Sequence, residues 1–346
     1  MKILVTGGAG FIGSTVIRKA IMNGHCIINV DSLTYAACLK NLENVPNNNQ
    51  YFFEKIDIRN SKAISEVLNK YEPDAIMNLA AESHVDRSID GPGDFIQTNI
   101  VGTYNLLECS KNYWQEKGKD KNFRFLHVST DEVFGSAKKN ELFREDSKYL
   151  PNSPYAASKA SSDHLVRAWH KTFNLPTLVT NCSNNYGPYQ FPEKLIPLTI
   201  INAIEGRSLP IYGDGKNSRD WLHVEDHADA LLLVLANGEI GKTYNIGANN
   251  ELENIDLVKK ICEILDKKIP TKKNYSSLIT FVDDRPGHDF RYAIDASRIN
   301  RELKWSALID FDDGLERTVK WYISNKDWWE PLKNRFDTNK RIGIKK

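Results

Sequence analysis

The chain has 346 residues, and its 46 basic and 45 acidic side chains give a formal net charge of +1 at pH 7. This balance provides no overall field to attract nucleic acid or an anionic membrane. The longest wholly apolar run, residues 230–236, is far shorter than the roughly 20 residues of a membrane-spanning helix. The start lacks a secretory-signal pattern, and the five cysteines lack metal-type spacing. We therefore expect a cytoplasmic protein without a metal site.

The first elements form a strand, a glycine-rich turn and a helix. Residues 2–6 have the length and hydrophobicity of a strand, and residues 14–22 are typical of a helix. Between them, Gly8, Gly10 and Gly13 match G-x-G-x-x-G, in which absent side chains permit a tight turn and the close approach of a pyrophosphate. The free N–H groups at the helix start favour that negative charge. This order predicts a dinucleotide-binding loop.

Two acids follow the next strand-like runs. Asp31 follows the apolar residues 27–30, close to the offset of about twenty residues at which an acid binds the adenosine ribose 2′-hydroxyl. A carboxylate there repels a 2′-phosphate, so NAD is predicted rather than NADP. Asp57 follows residues 51–56 and is placed to accept a hydrogen bond from the adenine amino group.

Residues 74–81 are predicted to form the fourth strand, and the polar residues 82–88 to form a loop at its carboxyl end. Ser83 is the residue of this loop that we predict to contact cofactor or substrate. Residues 94–114 have the apolar spacing of a helix that packs on a sheet. Strands that alternate with helices in this way predict a doubly wound parallel α/β sheet with right-handed crossovers.

The stretch 123–135 is the predicted centre of the chemistry. An apolar run ends there in Thr130, Asp131 and Glu132, and ligands bind outside the carboxyl ends of strands in open α/β sheets. Further along, Tyr155 and Lys159 are four residues apart, hence on one face of a helix. Because a free tyrosine has a pKa of about 10, we expect the nearby ammonium ion to lower the pKa of Tyr155 so that it acts as a base.

The composition changes after the predicted strand at residues 175–182, where a loop-like segment follows. We predict an NAD-binding domain at residues 1–187, to which residues 221–247 return. Residues 188–346 are predicted to form mainly a smaller α/β substrate domain, with a closing helix at 311–323 and a solvated basic tail from residue 333.

Six motifs together resemble those of the dTDP-glucose 4,6-dehydratases, which are extended short-chain dehydrogenase/reductases. They are residues 6–13, 80–88, 129–135, the pair Tyr155 and Lys159, residues 184–189 and residues 284–288. The resemblance covers almost the whole chain, and the triplet at 130–132 is its most specific part, because sugar-nucleotide epimerases lack the paired acids. Phe134 departs from the tyrosine usual in that motif, and Ala37 and Cys38 depart from a glycine-containing sequence.

The resemblance implies a three-step reaction in which NAD serves as a transient oxidant. Tyr155 takes the proton of the glucose 4-hydroxyl as hydride leaves C4, while Thr130 binds the 4-oxygen. Glu132 then removes the C5 proton and Asp131 protonates the departing 6-hydroxyl, after which hydride returns to C6. An acid and a base side by side require different protonation states, so we expect Asp131 to be protonated and Glu132 ionised.

The resemblance also implies two sets of binding residues and a homodimer. The predicted cofactor residues are Gly7, Gly10, Phe11, Ile12, Gly13, Asp31, Ser32, Leu33, Thr34, Asp57, Ile58, Leu79, Ala80, Ala81, Thr98, Tyr155, Lys159 and Asn185. The predicted nucleotide-sugar residues are Ser83, Thr130, Asn184, Lys194, Leu195, Pro210, Ile211, Tyr212, Arg219, Asn254, Asp284, Arg285 and His288. Arg219 and Arg285 suit a diphosphate because a guanidinium group offers paired donors.

Other readings stay open at this stage. A UDP-glucose 4,6-dehydratase differs in one methyl group and one ribose hydroxyl of its substrate, and a 4-epimerase shares the glycine loop and the Tyr/Lys pair. A dinucleotide-binding sensor without catalysis would be expected to lack some of the catalytic residues, whereas all five are present here.

Overall fold

The structure, a computed structural model, describes residues 1–46, 49–335 and 343. Its strands are β1 (Lys2–Thr6), β2 (Cys26–Val30), β3 (Tyr51–Glu54), β4 (Ala75–Asn78), β5 (Arg124–Thr130), β6 (Thr177–Cys182), β7 (Asn184–Tyr186), β8 (Leu209–Tyr212), β9 (Ser218–His223), β10 (Thr243–Ile246), β11 (Glu251–Glu253) and β12 (Ile279–Val282). Its α-helices are α1 (Phe11–Met22), α2 (Ser61–Tyr71), α3 (Val85–Asp90), α4 (Pro92–Phe95), α5 (Thr103–Glu116), α6 (Pro154–Phe173), α7 (Leu195–Ile204), α8 (Val224–Asn237), α9 (Asn254–Lys268), α10 (Ser297–Leu303), α11 (Phe311–Ser324) and α12 (Lys326–Lys333).

Over the described residues, a seven-stranded parallel sheet has the order β10-β6-β5-β4-β1-β2-β3. The chain moves outward from β1 to β3, then crosses back to β4 and continues in the opposite direction. The carboxyl ends of β1 and β4 therefore flank the switch point at which such sheets bind ligands. The predicted doubly wound parallel sheet is confirmed.

Helices cover both faces of this sheet. Ile3 and Val5 of β1 pack on one face with the apolar sides of α1 and α8, whereas Leu4 faces a separate cluster formed with α2, α5 and α6. This alternation follows from the two-residue period of a strand. Both clusters are almost fully buried, so the strand ends above them are held on a rigid base.

A second core lies in the later part of the chain. Helices α7, α9, α11 and α12 pack around it, beside the small sheets β11-β9-β7 and β12-β8. Strand β10 lies instead in the large sheet, beside β6. The exact domain limits given above stay a prediction.

Elements α3 and α12 differ from the sequence prediction, as does β7, which lies in the segment predicted as loop-like. Residues 85–90, predicted as loop, form α3, whose N-terminus is capped by the His84 ring accepting the Arg87 N–H, at 3.4 Å. The closing helix is followed by a further helix, α12, which buries Trp328 and Trp329. Both helices are short, and their polar residues leave little apolar periodicity for a sequence pattern to detect.

The predicted solvated tail is only partly described. Lys333 ends α12 and forms an ion pair with Glu205, so the start of the tail is bound rather than solvated. Gly343 is buried and donates its N–H to Asp90 at 3.0 Å. Residues 336–342 and 344–346 lie outside the described residues. No helix in the described part of the chain has the length and hydropathy needed to cross a bilayer.

Candidate active site

The glycine loop forms the floor of a long cavity at the switch point. Gly7 has a φ of +71°, and a Cβ there would lie 2.8 Å from the Ala80 nitrogen. A Cβ on Gly13 would lie 2.3 Å from the Gly7 oxygen. The loop therefore excludes side chains at both positions, which leaves its backbone open to a pyrophosphate.

The G-x-G-x-x-G pattern begins at Gly8, but the first glycine that lines the cavity is Gly7. A Cβ on Gly8 would meet the Asn29 side chain at 2.2 Å, so this glycine serves the packing of the loop on β2. Gly7, not Gly8, lines the cavity together with Gly10 and Gly13. The spacing in use is therefore G-x-x-G-x-x-G.

Asp31 joins the glycine loop to the end of β2. One carboxylate oxygen accepts the Ala9 N–H at 2.9 Å, and the other accepts the Leu33 N–H at 2.7 Å. Burial raises the pKa of Asp31, and these two N–H groups oppose that rise. Leu33 itself, a predicted cofactor residue, does not line the cavity; its backbone, at a φ of 56°, instead orients Asp31.

The other predicted cofactor residues do line the cavity, along the carboxyl edge of the sheet. They are Gly7, Gly10, Phe11, Ile12, Gly13, Asp31, Ser32, Thr34, Asp57, Ile58, Leu79, Ala80, Ala81, Thr98, Tyr155, Lys159 and Asn185. The glycine loop and the Asp31 carboxylate fit a dinucleotide, whose pyrophosphate would lie at the N-terminus of α1.

The sequence did not reveal a polar bridge at the rim of this cavity. Glu193 accepts hydrogen bonds from Tyr35, at 2.7 Å, and from Arg87, at 3.2 Å, and the Arg87 guanidinium lies 3.7 Å from the centre of the Tyr35 ring. The three residues come from distant parts of the chain, so no local motif marks them.

Thr130, Asp131 and Glu132 lie where the sequence places them, at the carboxyl end of β5. Thr130 caps a short 3₁₀ helix, Asp131–Phe134, by accepting the Glu132 N–H at 3.3 Å. Behind it, Phe134 is buried and stacks on Phe143 with ring centres 5.3 Å apart, as expected for a packing position. The turn thus holds both acids against a rigid aromatic cluster.

The two acids differ in their surroundings. Burial, followed by the charges of Glu132 and Asp220, raises the pKa of Asp131 well above its usual range. One buried oxygen of Asp131, Oδ2, has no hydrogen-bond partner among the described residues. This environment favours the neutral acid at position 131.

Burial also raises the pKa of Glu132, but the positive charges of Arg285, Arg219 and Lys194 oppose that rise. The Tyr292 hydroxyl donates to Glu132 across 3.5 Å. The charges around Glu132 are mainly positive and those around Asp131 mainly negative, which favours a protonated Asp131 and an ionised Glu132.

Tyr155 and Lys159 lie one helical turn apart on the buried face of α6, and both line the cavity. Burial, followed by the charge of Glu132, raises the pKa of Tyr155 well above its usual value. The Lys159 ammonium group donates to the Val128 carbonyl at 2.9 Å and lies 3.4 Å from His127 Nε2. The pKa of Tyr155 is thus raised here, not lowered as the sequence predicts, and burial is the largest cause.

Part of the predicted nucleotide-sugar set shares the cavity with the catalytic group. These residues are Ser83, Thr130, Asn184 and Lys194. The Lys194 ammonium group donates to the Ser83 carbonyl at 3.0 Å. The buried Asn184 Oδ1 has no hydrogen-bond partner within the described chain, which leaves it available to a ligand donor.

The remaining members of that set do not line this cavity. They are Leu195, Pro210, Ile211, Tyr212, Arg219, Asn254, Asp284, Arg285 and His288. Asp86 accepts from Arg285 and from the Tyr212 hydroxyl, each at 2.8 Å, and so ties two of them to α3. His288 contacts Asp284 at 2.6 Å.

The two arginines differ in what they offer an anion. The Arg219 guanidinium donates to the backbone carbonyls of Ser218, Asp289 and Phe290, so three of its five N–H groups are already engaged. Arg285 uses Nη1 for Asp86, and its buried Nε has no partner among the described residues. Arg285 is thus the better anion donor.

Comparisons with known proteins agree with this site. A family model described as GDP-mannose 4,6 dehydratase matches residues 4–318. The dTDP-glucose 4,6-dehydratase of Neisseria meningitidis is 56% identical over 353 residues, covering 100% of this chain and 99% of the relative. That of Shigella flexneri is 58% identical, covering 96% of each chain.

Among solved structures, the dTDP-glucose 4,6-dehydratase of Streptomyces venezuelae with NAD bound superposes with a TM-score of 0.88. It is 46% identical, and the match covers 96% of this chain and 100% of that chain. The chain therefore belongs to the GDP-mannose 4,6 dehydratase family, among the dTDP-glucose 4,6-dehydratases.

Proposed function

We propose that this protein is an NAD-dependent hydro-lyase that converts dTDP-glucose into a dTDP-4-keto-6-deoxy sugar. The observation that carries the proposal is the pair Asp131 and Glu132 at the end of β5, in surroundings that favour one acid and one base. The names and the NAD-bound structure of the relatives support it.

NAD, when bound, accepts the hydride from C4 of the sugar and later returns it to C6. Tyr155, whose ring borders the cavity near the ends of β5 and β6, takes the proton from the 4-hydroxyl. The Thr130 hydroxyl binds the same oxygen. To take that proton Tyr155 must be the phenolate; burial raises its pKa, so the ionised form needs a neighbouring cation, and the Lys159 ammonium group one helical turn away is placed to supply it.

The ketone at C4 makes the neighbouring C5 hydrogen acidic. Glu132 removes that proton, and neutral Asp131 donates its own to the departing 6-hydroxyl, so that one water leaves and a C5–C6 double bond forms. Hydride then adds at C6 and a proton at C5. The site resets when Glu132 returns its proton to C5, Tyr155 releases the 4-hydroxyl proton to solvent and Asp131 takes one up from solvent, so that the net change is the loss of one water.

The alternatives explain less of the site. A 4-epimerase has no need of an acid and a base at 131 and 132.

We further propose a cytoplasmic homodimer; exposed apolar side chains on neighbouring helices, Ile96, Tyr104 and Phe173, support a subunit interface there.

The test is to incubate the purified protein with dTDP-glucose and UDP-glucose separately and to follow product mass. We expect loss of one water from dTDP-glucose. A heat-inactivated sample is the control. Loss of water from neither sugar would contradict the proposed function, and loss from UDP-glucose alone would replace its substrate.

Asp31→Ala should weaken NAD binding roughly 10- to 100-fold, since the variant loses a hydrogen bond to a charged group. Titration of cofactor-free protein with NAD, followed by calorimetry, measures this. Asp31→Asn is the matched control, because its amide oxygen still accepts one of the two loop N–H groups. Equal affinity in the alanine variant would contradict the role of Asp31.

A further inference from the structure

Beneath Lys159 lies a buried carboxylate that the mechanism has not used. Asp163, one helical turn along α6, has a side chain 3% exposed. Its Oδ2 accepts from Ser129 at 2.9 Å, from the Tyr149 hydroxyl at 2.9 Å and from Asn181 at 3.2 Å. All three donors are neutral, so none of these contacts is an ion pair.

The other oxygen of Asp163 faces the catalytic lysine across one histidine. His127 Nε2 lies 3.3 Å from Asp163 Oδ1 and 3.4 Å from Lys159 Nζ. On the far side of the ring, Nδ1 lies 3.1 Å from Asn78 Nδ2, while Asn78 Oδ1 accepts the hydroxyl of Thr6 at 2.7 Å. The His127 ring thus separates Asp163 from Lys159 and contacts both through Nε2, with Asn78 on its far side.

The histidine is neutral over the working pH range. Burial, followed by the Lys159 charge, lowers the pKa of His127 to about 4. Burial lowers the pKa of Lys159, and Asp163 is the largest influence that raises it. An ammonium ion in so dry a place requires a compensating anion.

We propose that Asp163, acting across neutral His127, is a positioning residue that holds Lys159 in its charged form and so sets the pH range in which Tyr155 works. This inference rests on the proposed function of Tyr155. The ammonium group held in this way lies one helical turn from the tyrosine, on the same buried face of α6.

Other titratable groups also face this network, and their charges are part of its setting. Tyr155 faces Glu132 and Asp131 from the turn after β5, and Cys182 from β6 lies near both Tyr155 and Lys159. Burial raises the pKa of Cys182 to a level at which the thiol stays neutral over the working range. Among the residues described here, Asp163 is the carboxylate that opposes the discharge of Lys159.

The test is the pH profile of the first step, measured as the single-turnover rise in absorbance at 340 nm when dTDP-glucose is added. Asp163 raises the Lys159 pKa, so Asp163→Asn should let Lys159 lose its proton at lower pH. We expect the alkaline limb of the profile to move down by about one pH unit, with roughly tenfold lower rates on that limb. An alkaline limb at the parental position, or an equal loss of rate at every pH, would overturn the proposal.

Two further variants separate charge from structure. Tyr149→Phe removes one hydrogen bond to Asp163 but keeps its carboxylate, so its alkaline limb should stay at the parental position. Asp163→Glu restores the charge and should bring the limb back toward that of the parent. A shifted limb in Tyr149→Phe equal to that of Asp163→Asn would show that packing, not charge, controls the pH range.

A second measurement needs neither activity nor a folded Asp163→Asn variant. In the parental protein with ¹³C-labelled lysine, the Lys159 signal, assigned through Lys159→Arg, should remain that of an ammonium group above about pH 8. A neutral Lys159 at that pH would overturn the inference. Failure of the parental protein to dehydrate dTDP-glucose would instead count against the proposed function.

Discussion

Glu132→Gln should carry out the oxidation at C4 but fail to release water. The substitution keeps the shape of the side chain and removes the base, and loss of a positioned base typically costs about 10²- to 10⁴-fold in rate. Mass measurement of the product follows the water, and absorbance at 340 nm follows the oxidation. Release of water at the parental rate would show that Glu132 is not the base.

Asp131→Asn is the matched partner of that experiment. It removes the acid and keeps the base, so in D₂O it should still exchange the C5 hydrogen of the sugar while releasing little water. Glu132→Gln should do neither. The contrast separates the two roles, because a merely structural change at this turn would affect exchange and elimination alike.

Tyr155→Phe should block even the first hydride transfer, again by about 10²- to 10⁴-fold. The variant keeps the ring, which packs edge-on against Phe95 with centres 6.3 Å apart, and so should fold normally. The measurement is the absorbance at 340 nm after addition of dTDP-glucose. A parental rise in that absorbance would contradict the assignment of Tyr155 as base.

Tyr113→Phe is a suitable control for that loss. It also deletes a buried tyrosine hydroxyl, which donates to the Pro73 carbonyl at 3.0 Å, but it lies on α5 away from the cavity. Its oxidation rate should match that of the parent. Any loss specific to Tyr155→Phe then reflects chemistry rather than a missing buried hydrogen bond.

The sequence is informative wherever a local pattern fixes the outcome. The apolar runs alternate with helical periodicity, which is sufficient to predict the parallel sheet and to place Thr130, Asp131 and Glu132 at a strand end. Tyr155 and Lys159 share a helical face for the same reason.

The sequence is less informative where the outcome depends on residues that are far apart in the chain. The glycine pattern alone selects Gly8, whereas the family resemblance selects Gly7; the close approach of Ala80 to Gly7, from far away in the chain, follows from neither. The engaged donors of Arg219 depend on carbonyls at 289 and 290, beyond any spacing rule. The protonation of Tyr155 depends on burial and on Glu132, and helical spacing indicates neither.

The Asp31 carboxylate also limits how this protein can be redesigned. Changing an enzyme from NAD to NADP usually begins with removal of the acid that repels the 2′-phosphate. Here the same carboxylate accepts the N–H groups of Ala9 and Leu33, so its removal also leaves two backbone donors without their acceptor. A successful conversion would need a replacement acceptor, such as an asparagine or serine side chain, together with the new cationic residue.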